Sequence, residues 1–305
     1  QMRKRGRGNL KKRQISPRAF SKKNNKTTSL RFLGTAVGGF HVLFCKFASV
    51  FLENNSSFPQ NKSKSQPQKM ACLLHIETSA ETCSVALSHD GQCVFERVSP
   101  QQMNHAASVS GYIQEALAEA KALGEKVQAV AVSAGPGSYT GLRIGFSTAK
   151  GLCYGMGVPL IAIPTLEILA AALRKTTEGL ANTDALLCPM TDARRMEVYT
   201  ALFNSQLEEV QATQAVCLDR EGTTFLPADK TILIGGSGAE KCREIFSDSR
   251  FVFAEVKTLC ASMMVEVAEA RFAKSRFDDL AYSEPFYLKA YQPSLSKKSV
   301  LPAHT

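Results

Sequence analysis

The chain has 305 residues, enough for two modest lobes around a hydrophobic core. Its net charge of +10 is an N-terminal property: residues 1–69 carry 16 of the 37 Lys and Arg but one of the 27 acids, Glu53, leaving 21 basic against 26 acidic residues beyond. That mildly acidic body argues against a stand-alone nucleic-acid binder, whose affinity comes from basic surface. The nine scattered cysteines, with no C-x-x-C pair, argue against a disulfide frame or zinc site and for free thiols in a reducing cytoplasm.

Residues 3–26 are rich in Lys, Arg, Asn and Ser without periodicity, the composition of a disordered segment. Residues 32–52 are apolar but contain His41, Lys46 and three glycines. They are long enough to suggest a membrane span or, after the basic start, a targeting signal, though no clear small-residue cleavage site follows. Residues 1–69 are read as a disordered basic extension, either translated upstream sequence with Met70 as the true start or a targeting segment.

From Leu73 the elements become clear. Leu73 to Ser79 is a strand ending in a Thr-Ser turn, Cys83 to Ser88 a second strand, and Cys93 to Val98 a third after Gly91. Glu77 stands near the strand–turn tip. His105 opens a helix to about Leu123, with Val109, Tyr112, Ile113, Ala116, Leu117 and Ala120 on one face. A lone His there has no partner with metal-ligand spacing.

Residues 127–155 are the most informative stretch. Val127 to Ser133 reads as a buried strand, Gly135-Pro136-Gly137 breaks it, and Ser138 and Thr140 suit the start of a helix through Leu142, Ile144, Ala149 and Leu152. Backbone N–H groups and the positive helix end converge at such a junction, so Gly135, Gly137, Ser138, Thr140, Gly141 and Arg143 are candidate nucleotide or anion ligands. The spacing matches neither a Walker A loop nor a dinucleotide fingerprint. The alternative is a tight turn whose glycines let the helix pack closely on a sheet.

Gly157 to Pro164 supplies the next strand, and Thr165 is expected to cap a helix bearing Leu166, Leu169, Ala170 and Leu173. The order β-β-β-α-β-α-β-α suits a mixed sheet of RNase-H-like type. A polar linker, Lys175 to Thr183, follows. The second part shows a strand at Ala185–Met190, a polar turn at Asp192–Arg195, where local pairing of Asp192 with Arg194 is favoured over Arg194 facing an anion in the cleft, and a strand at Glu197–Phe203. A strand at Thr231–Ile234 enters a Gly-rich turn and a helix to Phe246. A helix from Cys260 to Phe272 and an extended tail from Glu284 to Tyr291 complete it. No repeat is visible.

The string Gly135-Pro136-Gly137-Ser138-Tyr139-Thr140-Gly141-Leu142-Arg143-Ile144-Gly145, followed by Ala149-Lys150-Gly151-Leu152, resembles the signature of the TsaB (YeaZ) family. The resemblance extends to Leu73–Ser79, to Asp192-Ala193-Arg194 with Val198-Tyr199, and to Glu284-Pro285 with Tyr287-Leu288, covering roughly Met70 to Tyr291. Proteins of that family are dimerisation subunits of the bacterial machinery that makes threonylcarbamoyladenosine on tRNA.

The resemblance implies an α/β, two-lobed actin-like ATPase (ASKHA, RNase-H-like) fold without a metal centre. Residues 70–174 would form the N-terminal lobe, 175–291 a second, smaller lobe and 292–305 a flexible tail. It implies pairing with a TsaD-like catalytic subunit, joined by a TsaE-like ATPase, with a homodimer when alone and tRNA contacted only through the complex, in the cytoplasm and away from membranes. The pairing surface would lie on the first two helices, at His105, Val109, Tyr112, Leu142, Gly145, Ala149 and Leu152, against ordinary intramolecular packing as the alternative. A bulky charge at Gly145 or Ala149 would then break pairing without unfolding the chain. ATP or ADP would sit at the interface with the catalytic subunit. The H-x-x-x-H metal pair of the TsaD subunit falls here on Thr165 and Leu169, neither a good ligand, so no catalytic and no metal residue is assigned. The alternatives are a stand-alone actin-fold ATP-dependent transferase or kinase, and a glycoprotease-like peptidase, for which the sequence offers no convincing nucleophile or metal site.

Overall fold

The computed structural model describes residues 71–99, 105–176, 184–256 and 258–289, all within one compact unit. The expectations for residues 1–69 and 292–305 lie outside the described residues. Among the described residues no helix is long and apolar enough to cross a membrane.

The first sheet is built from β1 (Cys72–Glu77), β2 (Ser84–His89), β3 (Gln92–Val98), β4 (Ala129–Gly135) and β5 (Leu160–Pro164), in the order β3-β2-β1-β4-β5. β1 to β3 form an antiparallel meander, while β4 and β5 add in parallel to β1. Parallel neighbours need crossovers, and these are α1 (His105–Ala122) and α2 (Tyr139–Met156). β1 and β4 are buried along their whole length, as expected of central strands covered on both faces.

The second sheet repeats this plan. β6 (Leu186–Asp192), β7 (Glu197–Phe203) and β8 (Glu209–Cys217) form an antiparallel meander, and β9 (Ile232–Gly235) and β10 (Phe251–Phe253) add in parallel, in the order β10-β9-β6-β7-β8. A duplicated topology thus stands where the sequence shows no repeat. The crossovers differ: only the four-residue α4 (Leu218–Glu221) lies between β8 and β9, and a short 3₁₀ turn, Glu240–Cys242, between β9 and β10. The helix expected to run to Phe246 is absent because successive N–H groups reach back three residues: Ala239 to Gly236, Cys242 to Ala239, Ile245 to Cys242. The helix expected from Cys260 instead opens as a 3₁₀ turn, Ala261–Met264, before α5 (Val265–Ala273). Its first amides are drawn onto the first sheet, Ala261 N–H donating to Ser84 Oγ and Ser262 N–H to Glu96 Oε1.

One helix serves both sheets. α3 (Thr165–Lys175) begins after Pro164, carries Glu167 in its first turn and Arg174 and Lys175 in its last, and buries eight residues. Leu166, Ile168, Leu169 and Leu173 share a single core with Ala129, Ala131, Ile161 and Ile163 of the first sheet and Leu187, Ala201 and Leu233 of the second. Met264 of the 3₁₀ turn and Val267 and Ala268 of α5 close that core. Arg271 of α5 ties it to α3 and β5, donating to Glu167 Oε2 and to the Ala162 carbonyl, each at 2.6 Å. Leu169→Ala should lower the unfolding free energy by about 3 kcal/mol, since neither sheet can collapse into the space without disturbing the other; urea unfolding measures this, and one transition for both sheets is expected.

Candidate functional site

The site that the sequence singles out is the junction of β4, the Gly135-Pro136-Gly137 turn and α2. The tip of β1 lies directly beneath it. Ser138 N–H donates to the Ser79 carbonyl at 2.7 Å, and Ser138 Oγ, the N-cap of α2, accepts from Gly141 N–H at 3.2 Å. Gly135 N–H donates to Thr165 Oγ1 at 3.1 Å. Thr165 is therefore the first residue of α3 and anchors the turn, and Pro164 occupies the cap position expected for it.

The glycines are explained by proximity. A Cβ at Gly137 would lie 2.5 Å from the Ser79 carbonyl oxygen, and one at Gly135, where φ is +105°, would lie 2.5 Å from the Phe286 carbonyl oxygen. A Cβ at Gly141 would overlap the Thr78 carbonyl oxygen, and one at Gly145 would overlap Thr78 Oγ1. Close packing, the alternative reading of this turn, is what the backbone shows.

The six candidate anion ligands are not brought to one spot. The N–H groups of Gly135, Ser138 and Gly141 already have acceptors within the chain. Gly137 backs onto Ser79. Thr140 and Arg143 are exposed, with the Arg143 guanidinium 5.5 Å from the centre of the Tyr139 ring. The Gly-rich turn after β9 is likewise packed: a Cβ at Gly235 would overlap Leu173, and one at Gly236, where φ is +113°, would overlap the Met190 carbonyl oxygen.

The proposed pairing residues divide in the same way. Val109, Leu142, Gly145, Ala149 and Leu152 are buried within this chain, and Tyr112 is half-buried. The side chain of His105 lies outside the described residues. The outer face of α2 instead presents Arg143, Ser147, Gly151 and Tyr154, the last 85% exposed. A bulky charged residue at Gly145 or Ala149 would accordingly strike the chain's own core, and the expectation that such variants stay folded is corrected. Gly145→Val should cost about 3 kcal/mol of stability or prevent folding, as overpacking against the β1 tip requires; thermal melting reads it directly.

Several polar groups around the tip of β1 and in the sheets are buried. Glu77 is fully buried, and its Oε1 accepts from both the N–H and the Oγ–H of Ser79 at 2.6 Å. Burial pushes its carboxyl up to about 7, against the hydrogen bonds from Ser79 that favour the anion. His75, also fully buried, shares a 2.8 Å hydrogen bond with Ser88 Oγ, which donates to Glu269 Oε1 at 3.0 Å. With the serine between imidazole and carboxylate, Nε2 must donate, so this His cannot take the serine proton as a general base would. Burial holds the His75 imidazole down at about 3, and lifts the Cys153 and Cys188 thiols to about 12, leaving them inert as nucleophiles at neutral pH.

Asp192 pairs with Lys241 at 2.6 Å and accepts the Arg194 backbone N–H at 2.7 Å. The local link to Arg194 is thus through its backbone, and the ionic partner is one the sequence did not suggest. Sequence reasoning gave Glu284–Tyr291 as an extended tail carrying family residues but missed its contact with the turn, where Phe286 N–H donates to the Ala134 carbonyl at 2.7 Å. No group of three or more His, Cys, Asp or Glu side chains able to hold a metal occurs among the described residues.

A family model described as TsaD, tRNA N6-adenosine threonylcarbamoyltransferase, matches residues 96–300. The tRNA threonylcarbamoyladenosine biosynthesis protein TsaB of Bacillus subtilis is 31% identical over 58% of this chain and 75% of its own length. The chain belongs to the TsaB/YeaZ family. The Escherichia coli TsaB is 29% identical over 71% of this chain and 94% of its own. The solved structure of YeaZ from Pseudomonas aeruginosa aligns with a TM-score of 0.59 and 26% identity, over 72% of this chain and all of that one. The duplicated sheet topology is the actin-like architecture of this TsaB/YeaZ chain.

Glu77 gives a pH test of the β1 tip. A carboxyl raised from 4.5 to about 7 on folding binds its proton more tightly in the native state, so its contribution is full at acid pH and falls as pH rises through that interval. His75, lowered from 6.5 to about 3, acts oppositely, losing stability as pH falls through that interval. The two contributions offset each other between them in the parent chain. Glu77→Gln removes one, so its stability relative to the parent should rise by about 3 kcal/mol from pH 4.5 to 7, measured by urea unfolding of both chains at each pH.

Proposed function

We propose that this chain is the non-catalytic subunit that pairs with a TsaD-like catalytic subunit in threonylcarbamoyl transfer to the adenosine beside the tRNA anticodon. The observation that carries the reading is the use made of Thr165 and Leu169, the positions onto which the metal-binding histidines of the catalytic relative fall. Thr165 Oγ1 accepts the Gly135 amide, and Leu169 is 2% exposed in the core shared by both sheets. Both side chains are committed to holding the fold. The names of the TsaB relatives and of the matching family support the same assignment.

The partner surface belongs, on this reading, to the outward faces of α1 and α2, around Gly151 and Tyr154, where an exposed aromatic suits a buried anchor. A TsaE-like ATPase, ATP or ADP at the shared interface, a homodimer of the chain alone and action in the cytoplasm are finer parts of the proposal. Contact with tRNA would come through the complex, consistent with the acidic balance beyond residue 69.

Light scattering after size exclusion tests it with the full chain, alone and mixed with the same organism's TsaD-like protein. A new heteromeric species is expected, and a chain that ignores that protein would favour the stand-alone ATP-dependent enzyme. A Cβ at Gly151 meets nothing within 4 Å. Gly151→Glu should therefore keep a near-parental melting temperature and lose at least about tenfold in pairing affinity, because a charge would be desolvated at the contact. Unchanged pairing of this folded variant would remove the surface from that face.

A further inference from the structure

Beyond α5 the described residues, as far as Lys289, stay on the surface of the two sheets. Asp278 N–H donates to the Leu160 carbonyl at 2.9 Å and Asp278 Oδ2 accepts from Ala162 N–H at 2.7 Å, covering the open edge of β5. Asp279 Oδ1 accepts the N–H groups of Ala281 and Tyr282 and folds the next residues into a turn. Lys150 of α2 reaches that turn, its Nζ donating to the carbonyls of Ala281 at 3.1 Å and Ser283 at 2.9 Å. The segment then crosses the G-P-G turn, where Phe286 N–H takes the Ala134 carbonyl and the Phe286 carbonyl lies over Gly135. Tyr287 packs on Tyr139 with ring centres 4.9 Å apart, and Lys289 ends the path in an ion pair with Glu197 of the second sheet.

Three properties distinguish this path from an ordinary tail. It forms no helix or strand of its own, so its order comes from the anchors. Tyr282, Phe286 and Tyr287 remain 86%, 48% and 39% exposed, so burial contributes little at those positions. The anchors are mostly polar: Asp278 on β5 at one end, Lys150 and the Phe286 amide along the path, and Lys289 with Glu197 at the other end, with the G-P-G turn between Lys150 and Lys289. Such a segment belongs to the low-stability end of a fold and can release without unfolding the sheets beneath.

We propose that residues 277–289 form a latch that seals the G-P-G turn and must lift before a ligand or partner reaches that turn. Gly135 then has two roles: its missing side chain admits the latch, and its exposure on release makes the turn accessible. The latch also joins the N-terminus of α2 to the hairpin of β6 and β7, so release at one end loosens the seal at both. The inference does not depend on pairing with a catalytic subunit.

Hydrogen exchange read by mass spectrometry on the full chain tests it, comparing the parent with Lys150→Met and Glu197→Gln. Neither residue touches the G-P-G turn, and each substitution removes an anchor while keeping a similar shape. In each variant the amides of Glu284, Phe286, Tyr287, Leu288 and Lys289 and those of Gly135, at the end of β4, and Ser138 should speed up together by about tenfold, with β1 and the rest of β4 retaining their protection. Faster exchange in 284–289 with Gly135 and Ser138 unchanged would overturn the seal. Parental exchange in both segments of both variants would overturn the latch. Phe286→Pro, which removes the amide donated to Ala134, gives a third comparison and should reproduce the joint acceleration.

Discussion

The contact on which this structure depends is the approach of the β1 tip to the first turns of α2. Thr78 and Ser79 occupy the volume that side chains would fill at Gly137, Gly141 and Gly145. The Ser138 amide is spent on the Ser79 carbonyl. Glu77 fixes Ser79 from below through two hydrogen bonds, one from the backbone and one from the hydroxyl. A motif that looks like an anion cradle in one dimension is, in three, a joint between strand and helix. The same local signature serves either purpose, because both need N–H groups at a helix start and room above the backbone.

The two sheets share a topology but not a set of helices. The first keeps full-length crossovers, α1 and α2, whereas the second has reduced its own to α4 and a 3₁₀ turn. α3 and α5 make up the difference by packing between the sheets, so the second sheet borrows its core from the first. Its own cluster, around Met190, Ile234, Phe246 and Phe251, covers the other face with aromatic contacts. The strand order is thus the same in both sheets although the connections differ.

The first sheet was legible in the sequence because each of its elements combines a strong period with sharp punctuation: apolar β1 and β4, Gly91 at a hairpin, the G-P-G break, Pro164 before α3. The antiparallel meander and the inward faces of α1 and α2 follow from those signals. The second sheet was less so. β8 was missed because its Glu, Gln and Thr residues mark a half-exposed edge rather than a core strand, and β10 because three residues give no period. The site was half legible. The stretch that matters was identified, but sequence cannot tell whether a glycine is needed for a ligand or for a neighbouring carbonyl. Val109, Leu142, Ala149 and Leu152 show the same limit: an apolar face predicts burial and does not say against which surface. The turn's cover at Phe286 lies about 150 residues downstream, beyond the reach of local pattern.

Leu169 and Leu173 sit where Gly235 and Gly236 lack side chains, so α3 is keyed into the second sheet as tightly as into the first. This interlocking of leucine and glycine leaves little slack between α3 and the second sheet, because interiors at native density resist even a methylene's worth of shift. The molecule should respond to load as a rigid body. A rigid body transmits position rather than motion to whatever it is set against.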